Sequence, residues 1–150
     1  MKNKIFIFSI IGLVIDQILK FFVSVYLTKL IIIPSFLSLV YTKNYGVAFS
    51  MLFGNRLLIL LISAILIIFI FYLIRSDYKE NKNNKTTEIA YGMLLGGVFG
   101  NLFDRIIRGY VVDYISLNIF GYMFPIFNLA DILITVGVLV LIINIIFSKK

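Results

Sequence analysis

Cysteine and histidine are absent from the 150 residues, and only seven residues are acidic. Without cysteine there is no disulfide and no thiolate nucleophile; without histidine there is no Ser-His-Asp triad and no ordinary zinc site. No metal or cofactor is expected. Charge is scarce as well: 14% of residues are charged and 61% are hydrophobic, against roughly a quarter charged in a soluble domain. With a mean hydropathy of +1.06, the chain reads as an integral membrane protein. The formal charge of +7 does not point to nucleic acid, because the Lys and Arg are scattered over loops and termini with no basic helix.

What is present is a set of apolar stretches, about 5–27, 57–74, 89–107 and 126–147, each near the roughly 20 residues that cross a hydrocarbon core. One membrane-embedded domain over 1–150 follows, all-α, with four transmembrane helices. Lys2 and Lys4 ahead of the first run resemble a signal peptide, but Asp16 and Lys20 interrupt it and no A-x-A site follows, so it is read as a retained span. Lys2, Lys4, Arg75, Lys79, Lys82, Lys85, Lys149 and Lys150 fall on one side, against Lys29, Lys43, Arg56, Arg105 and Arg108 on the other. That bias places both termini in the cytoplasm. The polar stretch Ser76 to Thr87 reads as a short solvated cytoplasmic loop. The two opposite connections, containing FLSLVYT and VVDYISLNIFGYMF, are too apolar for free loops; small β-rich elements packed on the bundle at the extracytoplasmic face are expected.

Four of the acids, Asp16, Asp104, Asp113 and Asp131, lie in or beside these apolar segments, where ionisable groups need a partner or a function. With the topology above, they gather near the outer face. Asp113 and Asp131 suit a dyad sharing one proton, one carboxylate deprotonating water while the other protonates the scissile carbonyl. Asp131 has a structural reading too, as a capping box with Asn128 three residues earlier. Asp16 and Lys20 stand at i, i+4, the spacing of a helical ion pair, and read as structural. Gly92, Gly96 and Gly100 repeat every four residues, a small-residue face for close helix approach. Asn101 and Arg105 share a helix face beside Asp104; they either meet an extended peptide or satisfy one another. Asn44 and Gly46 look like a hairpin end with positive φ.

Taken together, DQILK (16–20), NYGVAFS (44–50), GGVFGNLFDR (96–105), VVDY (111–114) and FPIFNLADILI (124–134) closely resemble the bacterial lipoprotein signal peptidases, the type II signal peptidases. The resemblance covers nearly the whole chain. It implies an aspartic endopeptidase of the cytoplasmic membrane that removes signal peptides from diacylglyceryl-modified prolipoproteins, just before the modified cysteine. By motif, the catalytic pair falls on Asp113 and Asp131. Asn44, Asn101, Arg105 and Asn128 fall on positions associated with substrate contact and with holding the dyad, and Asp16 on a structural one, as Lys20 and Asp104 are also read. Partners would be prolipoproteins and membrane lipids, with no nucleic acid, and the enzyme would act as a monomer. Competing readings are a small proton- or ion-coupled transporter, disfavoured because the polar residues cluster at one face, and a non-catalytic assembly factor.

Overall fold

The computed structural model describes residues 2–46, 55–80 and 84–147. Val47 to Ser50 of the NYGVAFS segment and Lys82 lie outside the described residues. The order of elements is α1 (Lys2–Tyr26), β1 (Lys29–Ile33), β2 (Leu37–Asn44), α2 (Arg56–Lys79), α3 (Lys85–Ile107), β3 (Val111–Ile119), β4 (Tyr122–Met123) and α4 (Leu129–Phe147).

Isoleucine-rich runs such as LLILLISAILIIFIF would favour strands in water. They are helical here for the reason that governs any chain in lipid: with no water to bond to, the backbone must satisfy its own N–H and C=O groups. α1, α2 and α4 are long and apolar enough to span a bilayer, and their large side chains point outward, Leu57 at 72% and Phe69 at 53% exposed. α3 differs. It is 23 residues long, but it is not among the three helices apolar enough to qualify as spans by composition. Its glycines and its Asn, Asp and Arg lower its hydropathy, and its surface is mostly covered by protein, so it need not match lipid.

Glycine is what allows that covering. Gly92, Gly96 and Gly100 face α1, where a Cβ on Gly96 would come 2.8 Å from the Ser9 carbonyl oxygen. Gly97, on another side of α3, faces the Ala130 carbonyl of α4, and Gly137 of α4 lies against Ala90. The expected small-residue face is therefore present, and α3 uses a second one to hold α4. At the far end of the bundle, Asn84 caps α3 by accepting from the Thr87 N–H at 2.8 Å. The expected solvated loop over Ser76 to Thr87 is shorter than its polarity suggested. α2 continues to Lys79 and α3 begins at Lys85, and the flanking polar residues are used in packing. The Tyr91 hydroxyl donates to Asp77 at 2.7 Å and the Tyr78 hydroxyl to Glu88 at 2.8 Å.

The two apolar connections expected to carry β structure form one four-stranded antiparallel sheet in the order β1-β2-β3-β4. The fold is thus mostly helical with a small sheet rather than all-α. Pairing of β2 with β3 sets Thr42 opposite Asp113 and Asn44 opposite Val111. Gly109, at φ +81°, takes a conformation that favours glycine and turns the chain from α3 into β3. Asn44 and Gly46 are not at positive φ; among the described residues, those positions are Ser35, Gly109, Phe120 and Gly121.

Candidate active site

Two elements far apart in sequence are brought together by one short bridge. Phe127, just before α4, pairs with Ile115 in the middle of β3, its carbonyl accepting from Ile115 at 2.8 Å and from Tyr114 at 3.0 Å. That bond seats the next residue, Asn128, against Asp113. The Asn128 amide donates to Asp113 Oδ1 at 2.6 Å and to Asn101 Oδ1 at 3.2 Å. Its own oxygen accepts from the Asp131 backbone N–H at 3.0 Å, while Asp131 Oδ2 accepts from the Asn128 N–H at 3.1 Å. This is the reciprocal capping box of the structural reading of Asp131, and the other Asp131 oxygen, Oδ1, stays turned to Asn101.

Asn101 completes the network. Its Nδ2 donates to Asp131 Oδ1 at 2.8 Å, and its Oδ1 accepts from Lys20 Nζ at 2.9 Å. Asn128 is fully buried and Asn101 nearly so, and the protein already engages both ends of each amide. Asn44, ending β2, donates to Asp113 Oδ2 at 2.8 Å and accepts from the Gly46 N–H at 2.9 Å. Each of the two carboxylates therefore receives two N–H bonds. Arg105 does not pair with Asp104; it forks between the Asn101 carbonyl at 3.2 Å and the Gly46 carbonyl at 3.0 Å, fastening α3 to the chain just beyond β2.

Behind this layer lies a buried ion cluster. Lys20 Nζ sits 2.8 Å from Asp16 and 3.1 Å from Asp104, with all three side chains wholly inaccessible. The pair spaced i, i+4 is thus one half of a triad, whose second acid comes from α3. Asp16 also accepts from the Ala130 N–H in the first turn of α4 at 3.0 Å. Asp104 accepts from the Val112 N–H of β3 at 3.1 Å and pairs with Arg108 at 2.8 Å. One lysine thereby ties together α1, α3, α4 and β3. Sequence spacing signalled the Asp16–Lys20 contact, and Asp104–Arg108 has the same i, i+4 spacing, although the sequence reading did not use it; nothing local signalled the contacts between elements.

A cleft of about 310 Å³ opens on Asn44, Asn101, Arg105, Asp113 and Asp131, walled by Phe124 to Phe127, Ile134 and Thr135. The apolar wall escaped the sequence reading, since an FPIF run before a span looks like any helix entry. Burial, the largest influence, pushes the Asp113 carboxyl up to about 6; the Asn44 and Asn128 amides oppose this, and the Asp131 charge adds to it. Tyr114, whose oxygen accepts from the Leu129 N–H at 3.3 Å, is also pushed up, to about 12, chiefly by burial. No cluster of potential metal ligands occurs among the described residues.

Lipid-exposed helices gathered around a half-buried cleft with two amide-held aspartates define the class: an integral membrane protein with a paired-carboxylate site at one end of its bundle. The family model for signal peptidase (SPase) II matches residues 8–147, and the chain belongs to that family of proteases. It is 41% identical to a lipoprotein signal peptidase of Caldicellulosiruptor bescii, covering 85% of this chain and 81% of the relative. It is 37% identical to one of Staphylococcus haemolyticus, covering 95% and 94%. Its fold superposes on a bacterial membrane enzyme solved by the in meso method at 2.3 Å resolution, with a TM-score of 0.87, 31% identity, and 99% and 90% of the two chains covered.

Proposed function

We propose that the chain is an aspartic endopeptidase that cleaves the signal peptide from diacylglyceryl-modified prolipoproteins just before the modified cysteine. The observation that carries this reading is the single amide, Asn128, that donates to Asp113 and caps the turn bearing Asp131, leaving both carboxylates on one cleft. Asp113 and Asp131 share one proton. The ionised member takes a proton from water, whose oxygen adds to the scissile carbonyl carbon, while the other carboxyl protonates the carbonyl oxygen. The tetrahedral diol then collapses, the C–N bond breaks, and the leaving nitrogen receives the proton held by the dyad. Asn101 and Asn128 act as positioning residues, because their own hydrogen bonds are spent within the protein. Asn44 acts with them through its bond to Asp113, its amide being engaged at both ends as well, while Arg105, with N–H donors beyond those given to the Asn101 and Gly46 carbonyls, is the cleft side chain placed to meet the peptide. The apolar wall thins the water around the site and strengthens each electrostatic contact in it.

The dyad's shared proton makes a pH prediction. A singly protonated pair requires that one carboxyl keep its proton, and Asp113 at about 6 loses it as pH rises through that value. For free enzyme, kcat/KM should therefore fall above about 6, while the limb in kcat lies higher because bound peptide removes further water. Asn44 stabilises the ionised form, so Asn44→Ala should move the falling limb of kcat/KM upward. A profile identical in the two proteins would show that Asp113 does not govern it.

In this reading α3 is the fourth span, sheathed by the other helices, the termini are cytoplasmic, and the dyad end faces outward. Of the 14 Lys and Arg, the majority then lie on the inner side, as cytoplasmic loops require. A single cysteine at Lys43, which is exposed, should react with an impermeant thiol reagent in intact cells, and one at Lys82 only after permeabilisation. Labelling at Lys82 from outside would reverse the topology.

A further inference from the structure

A second cavity lies under the sheet, sharing no residue with the dyad cleft. It has a volume of about 180 Å³ and is lined by Lys29, Ser35, Ser38, Ser116 and Asn118 together with apolar side chains of the two hairpins. Register explains why these polar groups converge. Ser38 is paired with Ser116 and with Ile31, and Asn118 with Met123, so alternation along the strands puts them on one face. Asp113 lies on the opposite face of β3. Val112 and Tyr114, on the same face as Ser116, pack against Val23 near the C-terminal end of α1. The cavity thus opens on the side of the sheet turned towards the end of a lipid-facing helix.

Two further observations say what fits there. The Asn118 Oδ1 is buried and accepts no hydrogen bond from any described residue, a costly state for an acceptor unless a donor is supplied. No acidic side chain lines the cavity, and Lys29 gives it a cation. The tips beside it are strongly apolar: Ile31 at 58% and Phe36 at 46% exposed on one hairpin, Phe120 fully exposed and Met123 at 59% on the other. Phe36 and Asn118 are joined by a backbone hydrogen bond at 2.8 Å, so both tips sit at the same end of the sheet. Side chains of this kind, on a sheet that packs against the end of a membrane helix, suit the lipid interface.

We propose that this cavity binds the headgroup of one membrane phospholipid, its phosphodiester on Lys29 and the serine hydroxyls and a headgroup hydroxyl donating to Asn118 Oδ1. The volume is that of about six waters at roughly 30 Å³ each, which suits a glycerophosphate and excludes a folded peptide segment. The acyl chains run down beside the apolar hairpin tips. The bound lipid fixes the height of the sheet, and with it Asn44 and Asp113, relative to the bilayer surface. The proposal rests on the membrane location and not on the chemistry of the dyad.

The test is lipid retention by the full chain, measured by native mass spectrometry after titration with phosphatidylglycerol or phosphatidylcholine in detergent. One tightly retained phosphatidylglycerol is expected, about tenfold preferred over phosphatidylcholine, which has the phosphate but no headgroup donor. Lys29→Gln should weaken retention of both lipids, and Asn118→Leu should erase the preference between them. Asn118→Leu also removes the orphan acceptor, so it should fold at least as well as the parent. Equal retention by parent and variants would overturn the site. So would a stabilisation by soluble glycerophosphate equal to that by the lipid, since this would mark a free-phosphate site. The same titration on the Asp113→Asn protein should give the parent result, and so stands whether or not the dyad is catalytic.

Discussion

Asp113→Asn and Asp131→Asn should each reduce cleavage of a diacylglyceryl-modified prolipoprotein by at least the roughly 100- to 10,000-fold that one general acid/base group supplies. An amide neither takes a proton from water nor gives one to a carbonyl, so losing either member ends the cycle. In the proposed mechanism the two carboxylates act as a unit, and the double variant should therefore be no slower than the worse single one. Folding is the confounding factor, and it differs between the sites. At Asp113 the incoming NH2 meets the donating amides of Asn44 and Asn128; at Asp131 it meets the Asn101 amide or the Asn128 N–H. Thermal unfolding in detergent, run beside the cleavage assay, separates lost chemistry from lost structure. A folded variant within a few-fold of the parent rate would remove that aspartate from the mechanism.

The largest effect on stability is expected at Lys20. Replacing it by Met keeps most of the length of the side chain but strands Asp16 and Asp104, both inaccessible, without the cation between them. Removing one partner from a buried ion pair costs about 3–5 kcal/mol, because the remaining charge has lost both water and counter-ion. Asp104 keeps Arg108; Asp16 keeps only hydrogen bonds, from Gln17 and the Ala130 N–H. Lowering the charge at the same time should recover much of the loss, so Lys20→Met with Asp16→Asn should melt higher than Lys20→Met alone. A second effect follows from the Lys20 bond to Asn101 Oδ1. That bond orients the amide that donates to Asp131, so the folded fraction of Lys20→Met should also cleave more slowly. If Lys20→Met unfolds at the parent temperature, the cluster is not what holds the bundle to the sheet.

Which residues the fold gathers around the candidate site was legible largely because the chain offers so few alternatives. In a sequence without His or Cys, any acid inside an apolar run demands an explanation, and the motif order named Asp113, Asp131, Asn44, Asn101, Arg105 and Asn128 as a group. The division of labour among them was not legible. Asn101 and Asn128 both looked able to meet a peptide, yet their amides are consumed by Lys20, Asp113, Asp131 and each other. Apart from the Asn128–Asp131 cap, three residues apart and open to a local reading, those contacts join residues 15 to 81 positions apart, and no local spacing carries them. Lys20 shows the same boundary within a single residue: the i, i+4 rule finds Asp16, one turn away on the same helix, and is blind to Asp104 on the next helix.

The sequence by itself determined the membrane character, the positions of the helical runs and the close approach of α3 to its neighbours, because each follows from hydrophobic length or from a repeat of small residues along one element. Tertiary structure alone decided that the two apolar connections form one sheet, that Phe127 pins the start of α4 to β3, and that a lysine lies between two acids behind the cleft. The physical reason is the range of the forces. Helix formation in lipid is settled by backbone bonds four residues apart, whereas strand pairing and buried ion clusters gain their free energy only when distant segments have already been folded into contact.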